Sequence, residues 1–481
     1  MLYFFICVGL LILGYFIYGK SVESIFGINT KRDTPAISQN DGIDFVPMSK
    51  FKIYLIQLLN ISGIGPIFGP ILGALYGPAA MLWIVFGCIF AGAVHDYFSG
   101  MLSIRNGGNS IPNLAGKYLG LSMKHLTNIF ATILLLLVGV VFISAPANLL
   151  EKLTSINAIY FLIAIFIYYL IATVLPINKI IGKLYPIFGA LLLFMSVGLT
   201  IAIVLSSEHT LLPNTQVSDF FTNLNPNDMP LWPALFITIA CGAVSGFHAT
   251  QSPLMARCVQ NERNGRFVFY GAMIGEGVIA LIWCAIALSF FGGIEQLNQG
   301  MAGNPANLVY SASTELLGVI GGFAAVLGVI ILPITSGDTA FRSARLILSE
   351  LFKMPQIKLN HRLILAIPLF ILGGVLTQID FGLVWRYFGL ANQATAVIML
   401  WTAASYLFIH RKFHWICTVP AMFMTTVVFT FVFSSKELGA GIQIELATII
   451  AIMLTFVVTL TVLGKANSRR KLDGDILPEV T

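Results

Sequence analysis

Glu276 stands between Gly275 and Gly277, deep within an apolar run and with no basic residue near it in sequence. An ionisable residue in such a run is costly and marks a functional site. Burial disfavours the charged form of a carboxylic acid, so the group suits a proton taken up and released during a cycle. The bland alternative is a structural carboxylate paired with an arginine. His248 lies in Ser245-Gly-Phe-His-Ala-Thr-Gln-Ser252, a polar interruption of another apolar run. Ser245, His248, Thr250 and Gln251 can bind a polar ligand. His248 can titrate near neutral pH or be a satisfied structural histidine. Asn60, Ser62, Gly63 and Gly65 form a similar interruption nearer the N-terminus. Thr335, Ser336, Asp338, Thr339 and Arg342 cluster at the end of a further run, where Asp338 and Arg342 are four apart and share a helix face. That pair reads as a gate or a structural contact, as does Asp96 at the end of its own run. Asn392 and Gln393 face either a cavity or a neighbouring helix.

The elements carrying these residues are interrupted helices. Asn60–Gly73 holds four Gly and two Pro inside an apolar run. Pro66 and Pro70 lack an N–H and clash with the carbonyl one turn back. Pro66 suits the first position of a new half-helix. Free backbone groups are tolerated at membrane depth only where they face protein, water or a ligand. The N–H groups and positive dipole end of such a half-helix favour a carboxylate. The alternative is close helix packing through glycine. In the second interruption, Ser252-Pro253 reads as an N-cap and first helical position that restart the helix. Broken membrane helices are the best sequence pointer to a transport site.

Composition sets the class. The chain is 57% hydrophobic and 10% charged, with mean hydropathy +0.88, against about 25% charged in a soluble domain. It reads as an all-α polytopic membrane protein. Apolar runs fall near 2–18, 53–76, 79–101, 127–148, 158–175, 184–205, 231–251, 267–291, 317–335, 362–379, 388–409, 414–434 and 443–464, which predicts thirteen spans. With the N-terminus outside, all of the 27 Lys and Arg except Lys152, Arg386 and Lys436 fall on the cytoplasmic side. The C-terminus is then cytoplasmic, in a multi-pass cytoplasmic membrane protein. The first run lacks a basic n-region and a cleavage site and reads as a retained anchor. The six cysteines form no CxxC and read as structural thiols. The basic residues alternate with spans, so no nucleic-acid partner is expected; the partners are the bilayer, a small-molecule substrate and an ion. No cofactor, phosphate-binding loop or firm metal set is expected.

The two interruptions lie five spans apart and run in opposite directions, the signature of an inverted repeat. Expected units are 1–52 (peripheral helix and loop), 53–206 (first repeat), 207–409 (outer loop and second repeat) and 410–481 (peripheral helices and tail). Several motifs together resemble the carbon starvation protein A family. They are Asn60–Gly73, Ala91-Gly-Ala-Val-His-Asp96, Arg105-Asn-Gly-Gly108, Gly246–Arg257, Gly271-Ala-Met-Ile-Gly-Glu276 and Ile334–Arg345. The chain looks like a short member without a long C-terminal extension. The resemblance implies the amino acid–polyamine–organocation superfamily, with a leucine-transporter-like five-plus-five repeat. It also implies an importer induced by nutrient limitation, with peptides or pyruvate as substrates. In leucine-transporter-like folds, hydroxyls on the core helix matching Thr335 and Ser336 bind sodium, and oxygen ligands suit such a hard cation.

The expected function is therefore proton-coupled import of a small carboxylate-bearing nutrient by alternating access. Glu276 would be the proton site, and Asn60, Ser62, Gly63, Gly65, Ser245, His248, Thr250 and Gln251 the substrate contacts. The rivals are a sodium-coupled amino-acid transporter and a channel. No Ser/Lys, Asp/Asp or metal motif supports an enzyme.

Overall fold

The computed structural model describes residues 1–474 other than 43, 175–176, 207–208, 210, 213–214, 357, 380 and 437–438. The side chains of 173–188, 335, 381 and 471–474 are also outside the described set. Among the described residues the chain is helical, without a strand. In order the helices are α1 (Leu2–Phe16), α2 (Tyr18–Phe26), α3 (Pro35–Ser38), α4 (Lys50–Ile61), α5 (Gly65–Gly73), α6 (Ala79–Gly87) and α7 (Ala93–Arg105). There follow α8 (Ile111–Leu119), α9 (Leu121–Thr154), α10 (Ala158–Val174), α11 (Ile177–Leu205), α12 (Leu231–Thr238), α13 (Gly246–Ala256) and α14 (Gly271–Phe290). The last are α15 (Ile294–Met301), α16 (Pro305–Leu351), α17 (Leu359–Leu376), α18 (Phe381–Ile409), α19 (Trp415–Ser434) and α20 (Ile444–Gly474).

Among the described residues each apolar run overlaps helix, with the runs 53–76 and 231–251 interrupted. Among the described residues, eight helices are long and apolar enough to cross a membrane, or nine with the bent pair α4–α5 as one. Burial follows what each face meets. On α10, Ile159, Ile163, Ile167 and Ile171 repeat every four residues and are exposed, while Ile165 and Tyr169 are buried. Residues four apart share a helix face, so this helix turns one apolar stripe outward to lipid and the other to the bundle. The interior helices α9 and α16 pack along each other.

Pro146 in α9 and Pro253 in α13 each free a carbonyl, and a hydroxyl from a neighbouring helix meets it. Pro146 in α9 leaves Phe142 O without its helical donor. The Tyr169 hydroxyl from α10 lies 3.2 Å from that oxygen and 2.9 Å from Pro333 O on α16. Pro253 in α13 likewise frees Ala249 O, which accepts from Ser99 Oγ of α7 at 3.4 Å.

Both interruptions are real breaks. Helix α4 ends at Ile61 and α5 begins at Gly65, with Pro66 second in the new helix and a bend of 48°. The second break runs over 239–245 and includes Gly242 at φ +91°. One expectation needs correction here. Helix α13 starts at Gly246 with Ser245 as its N-cap, not at Ser252-Pro253. The side chain of Asn392 accepts the Phe247 N–H at 2.7 Å and the Ser245 hydroxyl at 3.2 Å. That external cap, far away in sequence, lets the helix begin earlier, and Pro253 is carried inside it. His248, Thr250 and Gln251 thus sit on regular helix, not on the irregular stretch.

Candidate functional site

The two breaks meet face to face. A Cβ on Gly65 would lie 2.4 Å from Cys241 Sγ, and one on Gly63 would lie 2.4 Å from the Phe142 ring. Only glycine lets the start of α5 approach the second break this closely. These positions therefore pack in the present conformation, with no backbone face left open at them. A π-turn at Cys88–Gly92 joins α6 to α7 and widens the helix there. It brings Gly92 against the Ala243 carbonyl of the second break. Such turns concentrate at functional sites.

Beside this junction lies a buried chain of titratable groups. His95 Nδ1 is 2.8 Å from Asp96 Oδ1, and His248 Nδ1 is 2.9 Å from Asp96 Oδ2. A carboxylate only accepts, so both imidazoles donate through Nδ1. That fixes the His248 ring and turns Nε2 toward Glu276 Oε2, 3.2 Å away. All four side chains are fully buried. The His248–Glu276 approach has ion-pair distance without hydrogen-bond alignment: His248 Nε2 and both Glu276 oxygens lack a hydrogen-bond partner among the described residues. The chain joins α7, α13 and α14. It can hold and pass one proton between an imidazole and a carboxylate.

Asp96 is thus placed against His248 inside the bundle, where the sequence suggested a gate at a helix end. Glu276 has a partner after all, from a segment 28 positions earlier. Apart from a possible sodium site at Thr335 and Ser336, no firm metal set is expected from sequence, yet Cys241, His248 and Glu276 bring one ligand atom each within 4.8 Å of one another. Three donors fall one short of a closed tetrahedral site. The Cys241 thiol already contacts Ser245 Oγ at 3.4 Å. Two of its three members, His248 and Glu276, belong to the buried chain described above.

The remaining expected site residues separate into two places. Asn60 and Ser62 are buried at the first break, and Ser62 Oγ has no hydrogen-bond partner among the described residues. Ser245 is at the second break. Thr250 and Gln251 instead face α16: Gln251 Nε2 donates to Ser343 Oγ at 3.4 Å, and Ser343 Oγ donates to Thr250 O at 3.3 Å. Ser336 Oγ donates to Leu59 O at 3.0 Å, just before the first break, and Thr339 Oγ1 donates to Ser336 O at 2.9 Å. The side chain of Thr335 lies outside the described residues. Asp338 accepts from Tyr168 at 3.3 Å, and Arg342 donates to Ala172 O at 2.5 Å, so both tie α16 to α10. Gln393 Nε2 donates to Phe236 O at 2.8 Å, a helix-to-helix bond.

Two arginine networks close the bundle end that carries most of the basic residues. Arg105 meets Glu262 with two nitrogens, at 3.1 and 2.9 Å, and also donates to Tyr406 Oη and Gly27 O. Arg257 donates to Gly108 O at 2.9 Å and lies 3.5 Å from Glu350, which also accepts from Ser110 and Asn113. Sequence reading quoted both arginines in motifs without seeing their partners.

The model of the family described as "Carbon starvation protein CstA" matches residues 1–163 and 144–291. The chain belongs to the carbon starvation protein CstA family. An uncharacterized membrane protein of Haemophilus influenzae is 52% identical over 355 residues, covering 63% of this chain and 94% of the relative. The peptide transporter CstA of Campylobacter jejuni is 29% identical, covering 56% of this chain and 47% of that protein. The pyruvate/proton symporter BtsT of Escherichia coli is 26% identical, covering 54% and 45%. The chain spans about half the length of these two named transporters. A solved nucleobase-cation-symport-1 family transporter in a closed conformation superimposes with TM-score 0.56 at 14% identity, covering 88% of this chain and 95% of that one. A manganese transporter of Eremococcus coleocola gives 0.51 at 12% identity, covering 90% and 99%. This CstA-family chain shares their fold, and these named relatives and neighbours are transporters, not enzymes. The motif Ala91–Asp96 that signalled the family also contains His95, which the site reading had passed over.

Proposed function

We propose that this CstA-family chain is a secondary active transporter importing a small carboxylate-bearing nutrient, a peptide or pyruvate, together with a proton. The reading places thirteen spans, an N-terminus outside and two inverted repeats, 53–206 and 207–409, flanked by peripheral segments. The observation that carries it is the buried Asp96–His248–Glu276 chain, because it joins α7 of the first repeat to α13 and α14 of the second. His248 and Glu276 both belong to the second repeat, and His248 links their shared proton to Asp96, the contact that crosses to the first repeat. Protonation changes the charge at that contact, so it biases the two access states differently. Only such differential binding shifts a population. Asn60, Ser62 and Ser245 stand at the breaks, and the substrate carboxylate is assigned there, at the start of α5. With Gly65 packed on Cys241, loading requires the breaks to part. Fixed, continuous conduction, as in a channel, does not suit that closure.

The test is uptake into proteoliposomes under imposed gradients, across pyruvate, lactate, amino acids and short peptides. Uphill accumulation is expected with an inward proton gradient. Glu276→Gln should abolish accumulation while leaving substrate exchange. Gradient-driven accumulation by a folded Glu276→Gln protein would remove the assignment. A sodium-coupled reading draws on a specific contact, Ser336 Oγ against Leu59 O. It predicts accumulation on a sodium gradient alone and its loss in Ser336→Ala.

A further inference from the structure

A second built site lies away from the breaks, among α8, α9, α18, α19 and α20. Two cavities meet there. The larger, about 560 Å³, is walled by side chains such as Phe130, Val397, Val428, Phe429 and Val458. The smaller, about 400 Å³, is lined by Gly120, Ser122, Lys465, Ser468 and Arg469, among others. Leu119, Met123 and Lys465 border both, so the apolar space runs directly into the polar one. Lys465 and Arg469 are one turn apart on α20 and border the polar chamber together. Arg469 donates to the Lys117 carbonyl, which holds its guanidinium at the mouth. Among the described residues neither cation forms an ion pair and no acidic residue lines either cavity. This differs from Arg105 and Arg257 at the same end of the bundle, which face Glu262 and Glu350.

The dimensions also fit one class of ligand. From Val457 on the apolar wall to Arg469 at the mouth, α20 rises about 18 Å. Half a bilayer's hydrocarbon core is about 15 Å. An apolar slot of one leaflet's depth, ending in Lys465, Arg469 and two serines with no ion pair to either cation among the described residues, matches an amphiphile with an anionic head. We propose that this paired cavity binds one anionic glycerophospholipid. Its phosphate sits between Lys465 and Arg469, and its acyl chains lie between α9, α18 and α20. The site does not depend on the transport reading. It makes a lipid part of the joint between the peripheral helix α20 and the interior helices α9 and α18.

Native mass spectrometry of the delipidated, purified protein tests this. Phosphatidylglycerol, phosphatidylcholine and inorganic phosphate are added separately. Phosphatidylglycerol should be retained about tenfold better than phosphatidylcholine, because each basic group near the headgroup adds severalfold to binding. The Lys465→Ala/Arg469→Ala variant should lose that preference. Val458→Trp, which fills the slot, should lose both lipids. The double substitution is at partly exposed positions and leaves the fold intact, so it decides the matter even where the tryptophan variant misfolds. Equal retention of both lipids by the native protein overturns the proposal, as does undiminished phosphatidylglycerol binding by the double variant. Displacement by inorganic phosphate alone also overturns it, reducing the site to an anion contact.

Discussion

Asp96 and Glu276 are both buried carboxylates on the same histidine, yet they are held differently. Asp96 accepts one hydrogen bond on each oxygen, from His95 and His248. Glu276 lies against His248 Nε2 and near the Cys241 thiol, with neither oxygen in an aligned hydrogen bond among the described residues. Opposite stability effects follow. Asp96→Asn puts a donor amide nitrogen against one of two imidazole donors, which leaves a buried polar group unmatched. It should lower stability by ~1–3 kcal/mol, read as a fall in midpoint in a thermal-shift assay, with transport lost. Glu276→Gln removes a buried charge that has little hydrogen bonding. Its midpoint should hold or rise, and equal destabilisation by the two substitutions would contradict this division of labour. Glu276 and His248 could each be singled out in sequence by polarity within apolar runs. That they touch could not, since 28 residues and a helix break separate them and nothing in a single sequence records the pairing. His95 was passed over for a similar reason: beside an aspartate it looks like one of two polar neighbours, and only the fold turns its Nδ1 back onto that aspartate.

At the level of elements, the breaks were legible because glycine and proline act through the backbone, whatever surrounds them. The restart of the second helix was not. Ser252-Pro253 has the right local chemistry for a helix start, but Asn392 caps the backbone seven residues earlier, and a tertiary contact overrode the local signal. Glycine's role at the first break also changed, from exposing backbone to allowing contact. Gly65→Ala would place its Cβ on Cys241. Overpacking of this kind costs about 1–3 kcal/mol, so stability and uptake should both fall. Cys241→Gly removes both atoms in the clash and should restore part of each; failure of that rescue would mean the glycine is needed for something other than room. Tyr169 makes a parallel case for the proline kinks. Its hydroxyl serves the carbonyls Phe142 O and Pro333 O on two different helices. Tyr169→Phe should cost ~1–3 kcal/mol in the same thermal assay, although the ring and its packing are kept.

Across the whole molecule, magnitudes separate a clamp from a gate at the basic end. Arg105 presents a two-nitrogen fork to Glu262, which is fully buried, and also bonds α18 through Tyr406 and the chain after α2 through Gly27. Removing one partner of a buried pair costs about 3–5 kcal/mol, too much to pay on every transport cycle. Arg257 and Glu350 are 3.5 Å apart, and the Glu350 side chain is 26% exposed. The contact is longer than the Arg105 fork and its acid is partly exposed, so it should cost less to open, although the Arg257 side chain is only 10% exposed. Arg257 also lines a small cleft with Thr250, Pro253, Leu254 and Ser343. The two networks should therefore respond differently to loss of their arginine. Arg105→Ala should lower the thermal midpoint sharply. Arg257→Ala should lower it less, and should also expose the cleft. Carried with Ser343→Cys, Arg257→Ala should raise labelling by a membrane-impermeant maleimide severalfold from the basic side. The six native cysteines are buried and give little background. Labelling that stays at the level of Ser343→Cys alone, in a protein that still transports, would place the moving contact elsewhere, and the Asp338–Arg342 region on α16 would be the next segment to probe.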